Sequence, residues 1–154
     1  RIVPGSIGAQ DAAHPPQRQV ISLVNCRDAQ VHHLGNLRIA QLPPNPQHDD
    51  LALALGRTPP AGEAFRILLA HRPGAFDGAI PRAIPLTLAG HIHGGQFYLP
   101  VIGWSPGRLI TKYVMGHFEN GASQLYVSRG IGVVGIPLRV FAPPEIALFE
   151  LRRL

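Results

Sequence analysis

Cysteine and long apolar runs are scarce in this chain. Cys26 is the only cysteine, so an internal disulfide is excluded, and its apolar setting ISLVNC favours a buried, unreactive thiol. No apolar run reaches the length of a membrane span, and no signal peptide is visible. The compartment therefore stays open between the cytoplasm and the periphery of a membrane.

Lysine is also nearly absent, since Lys112 is the only one, and the positive charge is carried by scattered arginines. The formal net charge is +5 with histidine neutral, but no basic run indicates a nucleic-acid interface. The positive balance instead favours anionic substrates such as phosphate esters.

The chain is rich in the residues that interrupt regular structure. It has 154 residues, 17 Gly, 16 Pro and 45% hydrophobic residues, which predicts one domain with short strands and many loops. Residues 1–19 have no period and read as an irregular arm or a truncated end. Residues 20–154 are expected to form the folded part.

The first half of this folded part predicts a hairpin and a helix. The β-rich runs VISLVNC (20–26) and LRIAQL (37–42) flank VHHLGN, whose Gly-Asn pair is typical of a hairpin turn. The stretch DDLALALG (49–56) opens with a capping Asp and closes with Gly, so it predicts one short helix.

The second half predicts two buried strands, a hairpin and a closing strand. FRILLAH (65–71) and IPLTLAGH (84–91) are apolar enough for central strands, and both end in histidine. KYVMGHF (112–118) and QLYVSRG (124–130) are joined by ENGAS and predict the hairpin, while PPEIALFELRRL (143–154) predicts the last strand.

Two histidines one residue apart follow the second buried strand, in the stretch LAGHIHGGQFYLP. Ligands collect at the carboxyl ends of strands, where loops converge without disturbing the sheet. Neutral imidazole is a common ligand of divalent transition metals, and glycines give the His-x-His loop the freedom to turn both rings toward a metal. His71, His91 and His93 are therefore candidate metal ligands. Gln96 is interpreted as the first residue of a strand FYLP, and Tyr113 is a weaker pocket candidate.

Four blocks carry a family resemblance. GHIHGGQ (90–96) resembles the GHxHGGQ signature of the calcineurin-like metallophosphoesterases, in the branch of the bacterial YaeI and YkuE phosphoesterases. ILLAHRP (67–73), LYVSRGIG (125–132) and PPEIALFEL (143–151) resemble, in the same order, the strand that ends in His-x-Pro, the arginine-bearing loop and the closing strand of that branch. Ile92 stands where the family usually has Thr.

The resemblance implies a fold and an activity. It implies an α+β, β-rich chain that forms the C-terminal part of an αββα sandwich, and hydrolysis of phosphate mono- or diesters at a dinuclear site of Mn, Fe, Zn or Ni. By resemblance, His71 and His91 belong to the second metal and His93 to the first, while Arg129 binds the substrate phosphate. The substrate expected for this branch is lipid-linked or lies at a membrane surface.

The family's N-terminal metal-binding motifs are missing from the sequence. Asp-x-His, Gly-Asp-x-x-Asp and Gly-Asn-His-Asp/Glu do not occur, so the chain is expected to be a fragment that needs the missing N-terminal half of the same domain as its partner. Two other functions stay open. One is a non-catalytic binding module, and the other is a mononuclear zinc protein with three histidine ligands.

Overall fold

The computed structural model describes residues 30–34, 37–41 and 65–151, which form one six-stranded mixed sheet with few helices. The strands are β1 (Gln30–Leu34), β2 (Leu37–Gln41), β3 (Phe65–Ala70), β4 (Leu86–Ala89), β5 (Gly116–Asn120) and β6 (Ser123–Val127). Their order across the sheet is β1-β2-β3-β4-β6-β5. The predicted α+β, β-rich fold class is therefore confirmed.

The centre of the sheet is parallel, and its two edges are antiparallel. Strand β3 pairs in parallel with β2 on one side and β4 on the other, and β4 pairs in parallel with β6. Strands β1 and β5 close the two edges with antiparallel pairs. The prediction that FRILLAH and IPLTLAGH form central strands is confirmed, since β3 and β4 lie side by side inside the sheet. Strands buried on both faces read as continuous apolar runs.

A helical connection joins β3 to β4. Pro73 follows the end of β3, and the chain then forms the helix α1 (Ala75–Ala79) and a 3-10 turn over Ile80–Arg82. Phe76 of α1 is only 1% exposed, so the connection packs firmly on the sheet. Within the described ranges, no helix has the length and apolarity needed to cross a membrane.

Each face of the sheet carries its own core, because successive side chains of a strand point to opposite faces. On one face, residues of β3, β4 and β6 pack with α1; the buried members are Leu68, Ala70, Phe76, Ala79, Ile84, Ala89, Tyr113, Leu125 and Val127. On the other face the buried members are Ile67, Leu69, Leu86 and Leu88, against which Tyr126, Phe149 and Leu151 pack.

The two predicted hairpins have different outcomes. Strands β5 and β6 confirm the second hairpin, but β5 (Gly116–Asn120) begins four residues after the start of KYVMGHF (112–118), and β6 (Ser123–Val127) ends three residues before the end of QLYVSRG (124–130). The first hairpin exists, with QVHHL (Gln30–Leu34) as its outer strand, so the connection between its two strands is shorter than the predicted VHHLGN. The two-residue spacing between Leu34 and Leu37 suits a tight hairpin, which lets the histidines join the ladder. The arm 1–19, the run VISLVNC and the helix DDLALALG lie outside the described residues.

The closing segment 143–151 is not a strand in the described structure, so this prediction is wrong in its assignment. Exposure nevertheless alternates along it, with Glu145, Phe149 and Leu151 partly buried and Ile146 and Leu148 exposed. The segment keeps the period of two that its sequence predicts, but it pairs with no neighbouring strand among the described residues. Within the described part of the chain, this segment therefore lacks the ladder hydrogen bonds that define a strand.

Candidate functional site

Three adjacent parallel strands deliver their following residues to one edge of the sheet. His71 comes directly after β3, His91 comes two residues after β4, and Arg129 comes two residues after β6. The backbone N–H of Gly90 donates to the carbonyl of His71 at 3.4 Å, and that of Ser128 donates to Ala89 at 2.8 Å. These bonds continue the sheet past its strands and hold the three loops together.

His71 and His91 form a close ring pair. Their ring centroids lie 4.3 Å apart with a tilt of 43°. Partial burial, followed by the charges of Arg72 and His93, lowers the pKa of His71. His91 is solvent-exposed overall, yet local desolvation is still the largest cause that lowers its pKa, ahead of the charges of His71, Arg72 and His93. The lowered pKa of each ring favours the neutral form, which is the form that binds metals.

The loop after β4 has an unusual backbone. His91, His93 and Gln96 have φ values of 72°, 55° and 60°, a region that residues with a side chain rarely adopt. Gly94 and Gly95 share it, with φ values of 65° and 70°. Such conformations cost about 1–3 kcal/mol for each residue that bears a side chain, and they concentrate at functional sites. The surrounding structure must therefore hold this loop in place.

A second turn, which contains Ser105 and Gly107, packs against the histidine loop and supports it. Ser105 is 1% exposed, donates from Oγ to the carbonyl of Gly94 at 2.9 Å and accepts from the N–H of Gly107 at 3.2 Å. A Cβ atom at Gly95 would lie 1.9 Å from Ser105 Oγ and 2.7 Å from Gly107 N. Gly95, the second glycine after the His-x-His pair, is thus required by close approach as well as by its backbone angles.

His93 has a different neighbour from the other two histidines. Its Nδ1 atom lies 3.3 Å from Nη2 of Arg139, whose Nη1 lies 3.4 Å from the His93 carbonyl oxygen. The same guanidinium donates to the carbonyl groups of Arg129 at 2.9 Å and of Ala142 at 3.0 Å. Arg139 therefore ties the His93 ring to the loop that follows β6.

The described residues do not complete a metal site. Within the ranges 30–34, 37–41 and 65–151, no group of three His, Cys, Asp or Glu side chains is placed to hold a metal ion. The mononuclear zinc site with three histidine ligands is therefore not formed by this part of the chain. His71 and His91 fit part of a coordination shell, because they are neutral, adjacent and accessible.

Arg129 reaches the predicted edge of the sheet but is already paired. Its Nε donates to Oε2 of Glu145 at 2.6 Å, and its Nη2 lies 2.5 Å from the same oxygen. The hydroxyl of Tyr126 donates to the other carboxylate oxygen of Glu145 at 2.6 Å. Burial and this carboxylate raise the pKa of Tyr126 to about 12.

Two lesser candidates have structural roles. The Gln96 side chain donates to the Val134 carbonyl at 2.9 Å and accepts from the Val134 N–H, so it fastens a second loop beside the histidines. Gln96 is not the first residue of a strand, because its backbone is left-handed and Phe97 makes only an isolated bridge to Val140. Tyr113 is a buried core residue whose hydroxyl donates to Asp77 at 2.7 Å.

Sequence reasoning missed Arg139 and Ser105. Arg139 stands in the run GIPLRVF and Ser105 in GWSPG, and neither pattern indicates a contact with the histidine loop. The Ser-Pro pair of the second run predicts only a turn, so no local signal could have revealed either contact.

The sequence is similar to several bacterial proteins that are named for phosphoester chemistry. It is 33% identical over 138 residues to the metallophosphoesterase YkuE of Bacillus subtilis, which covers 87% of this chain and 44% of YkuE. It is 35% identical over 105 residues to the phosphodiesterase YaeI of Escherichia coli, covering 66% of this chain and 38% of YaeI. A metallophosphoesterase of Helicobacter pylori is 41% identical over 91 residues, covering 55% of this chain and 23% of that protein.

The chain thus spans less than half the length of each of these relatives. No family model matches it, and no solved structure matches it.

Proposed function

Because this chain belongs to the metallophosphoesterase family, we propose that it carries part of the active site of a metal-dependent phosphoesterase. The observation that carries the proposal is the pair of neutral imidazoles, His71 and His91, at the carboxyl ends of neighbouring parallel strands. Strand ends of this kind are where sheets with parallel centres bind their ligands. The strained backbone of the His-x-His loop also supports the proposal, because backbone strain concentrates at functional sites.

His71 and His91 would hold a divalent cation, with Mn, Fe, Zn and Ni all compatible with imidazole ligands. The chemistry that a pair of such cations supplies is activation of the attacking water and neutralisation of phosphate charge. We propose that the remaining ligands, including carboxylates, come from a part of the protein outside the described residues. The partial coverage of YkuE and YaeI supports this division of the site.

The substrate in this proposal is a phosphate ester, and a diester is favoured by the name of YaeI. Arg129 remains the proposed phosphate contact, because it follows β6 at the same sheet edge as His71 and His91. Its Nε and Nη2 atoms are bonded to Glu145, so a phosphate would meet Nη1 or displace the carboxylate. A lipid-linked ester is one member of this class to test.

The experiment compares the 154-residue chain with any longer protein encoded in the same reading frame. Both are loaded with Mn²⁺ and assayed with an aryl phosphodiester, an aryl phosphomonoester and a phospholipid. We expect the longer protein to turn over the diester, and His71→Ala and His91→Ala to lower its rate by about a hundredfold, as loss of a ligand or its support does. The 154-residue chain should stay at background, because its described residues do not complete a metal site.

His117→Ala is the matched control, since His117 lies on the edge strand β5 and its Nε2 atom lies 3.7 Å from Oε1 of Glu119. Equal activity of all three variants would contradict the proposed site. Absence of turnover in every longer form would instead favour the non-catalytic binding module.

A further inference from the structure

The proposed phosphate contact, Arg129, lies against the histidine loop together with a carboxylate. A carbon added at Gly94, the residue after His93, would lie 3.2 Å from Cγ of Arg129, so the arginine side chain packs directly on this loop. Its Nε atom donates to Oε2 of Glu145 at 2.6 Å, and its Nη2 atom lies 2.5 Å from the same oxygen. A phosphate that meets Arg129 therefore also lies close to the charge of Glu145.

Glu145 is held in this position through its backbone and its side chain. Its backbone N–H donates to the carbonyl of Gly130 at 3.0 Å, and its Oε1 atom accepts from the hydroxyl of Tyr126 at 2.6 Å. The side chain of Glu145 is 13% exposed and that of Arg129 is 28% exposed, so salt and solvent screen this ion pair less than a pair on the open surface. The carboxylate is thus a constant part of the surroundings of Arg129.

The ion pair affects which phosphate esters Arg129 can favour. Arg129 and Glu145 together carry no net charge, so a second negative charge on a ligand gains little attraction from the pair and is repelled by the carboxylate. A phosphodiester has one negative charge, whereas a phosphomonoester approaches a charge of about −2 above its second pKa of about 6. We propose that Glu145 is a specificity-determining residue, which favours monoanionic phosphodiesters over dianionic phosphomonoesters by neutralising Arg129.

This inference rests on the proposed function, in which Arg129 binds the substrate phosphate, and it gives a physical reason for a preference for diesters. Glu145 acts through its charge and through Arg129, and it makes no hydrogen bond to the substrate in this proposal. Its effect should therefore depend on the charge of the ligand and not on the size of the ligand.

The first test compares two ligands that differ in charge but hardly in size. Phenyl phosphate is a dianion at a pH of about 8, and in phenyl methylphosphonate a methyl group replaces one charged oxygen. The chemical shift of the Arg129 Nε–H in ¹H–¹⁵N NMR spectra of the 154-residue chain gives the Kd of each ligand. Glu145→Gln, which keeps the size of the side chain, should lower the Kd of phenyl phosphate at least about tenfold more than that of phenyl methylphosphonate.

Glu119→Gln is the matched control, because it removes the same charge from an exposed position on the edge strand β5. It should leave the ratio of the two Kd values unchanged. An equal change of both Kd values in Glu145→Gln would overturn the proposal, since a purely structural role of Glu145 does not distinguish the ligands. If Arg129→Gln alters neither Kd, Arg129 is not the phosphate contact and the proposal also fails.

A second measurement needs no substitution and covers the case in which Glu145→Gln does not fold. Lowering the pH from about 8 to about 5 converts phenyl phosphate into a monoanion. In the unchanged chain, the Kd of phenyl phosphate divided by that of phenyl methylphosphonate should fall over this range. A constant or rising ratio would overturn the proposal.

The third test uses turnover by the longer protein. In Glu145→Gln, kcat/KM for an aryl phosphomonoester should rise by at least about tenfold relative to kcat/KM for an aryl phosphodiester. An unchanged ratio would contradict the role of Glu145 in specificity. Absence of turnover in every longer form would contradict the proposed function instead, while the two Kd values would still decide the role of Glu145, so the two failures are distinguishable.

Discussion

At the scale of single residues, the candidate site depends on positive φ angles, which residues with a side chain rarely adopt. His91 and His93 both adopt a positive φ, and the strain of these two residues must be offset by contacts elsewhere. Ser105, which bonds to the carbonyl of Gly94, and Gln96, which bonds to Val134, supply such contacts. The backbone of the histidine loop therefore depends on these supporting hydrogen bonds.

Gly95 gives the sharpest residue-scale prediction. Gly95→Ala would place a methyl group against Ser105 and the backbone of Gly107, so we expect the free energy of unfolding to fall by about 3 kcal/mol, the sum of overpacking and a left-handed alanine. Gly103→Ala is the matched control, because Gly103 has a similar φ of 62° but nothing within 4 Å of the added carbon. It should cost only about 1 kcal/mol.

Urea denaturation of the two alanine variants measures both costs. An equal loss in Gly95→Ala and Gly103→Ala would mean that Ser105 and Gly107 yield freely, and the close approach would then not constrain the histidine loop.

At the scale of elements, one carboxylate of the closing segment 143–151 binds two side chains of β6 and the loop after it. Glu145 accepts from Tyr126 on β6 and pairs with Arg129 just beyond it. Partial burial and Glu145 raise the pKa of Tyr126 to about 12, above the value of about 10 expected in an unfolded chain. The folded state therefore favours the neutral phenol, which can donate.

This attachment predicts a pH dependence. A group whose pKa is raised on folding contributes stability that is complete below its unfolded pKa of about 10 and is lost as the pH rises toward 12. Tyr126→Phe should lower the free energy of unfolding by about 1.5 kcal/mol at pH near 8, as loss of a hydrogen bond to a charged group does. The difference between the two proteins should shrink steadily above a pH of about 10.

Denaturation curves of both proteins, recorded at successive pH values, check this prediction. Tyr98→Phe is the control, since it removes a tyrosine hydroxyl but keeps the hydrogen bond between Tyr126 and Glu145. A difference that is independent of pH would show that Tyr126 contributes through packing against Phe149, whose ring centroid is 5.2 Å away, and not through its hydrogen.

At the scale of the whole molecule, the described part exposes much apolar surface. Val101 is 97% exposed, Ile146 is 88% exposed and Leu148 is 77% exposed, whereas soluble monomers rarely leave large apolar patches in water. Ile146 and Leu148 lie on the outer side of a segment without a paired strand among the described residues. Exposed apolar edges of this kind promote association.

We therefore expect the 154-residue chain to self-associate. Sedimentation velocity at increasing concentration should show larger species, and a double variant, Ile146→Lys with Leu148→Lys, should shift the distribution toward monomer. Asn120→Lys with Ala122→Lys is the matched control, because it adds the same charge at exposed positions of the β5–β6 hairpin. If both double variants reduce self-association equally, the added charge alone explains the effect, and the apolar side chains of Ile146 and Leu148 do not.

The local sequence pattern predicted the features that depend on residue types close together in the chain. Apolar runs located β3 and β4, turn residues located the β5–β6 hairpin, and the positions of His71 and His91 at strand ends followed directly from those runs. The closing segment shows the limit of such patterns. Its exposure alternates with a period of two, but a strand also needs a neighbouring strand to pair with, and the period does not identify one.

By itself, the sequence determined the strand-rich fold class, the two histidine-terminated strands and the family, because each of these depends on residue types at short spacing. Only the tertiary structure decided that His93 meets Arg139 across 46 residues, that Gln96 meets Val134 across 38 and that Arg129 is paired with Glu145. Contacts between distant loops depend on how the whole sheet edge packs. The local sequence around a hydrogen-bonding group does not show which distant group will become its partner.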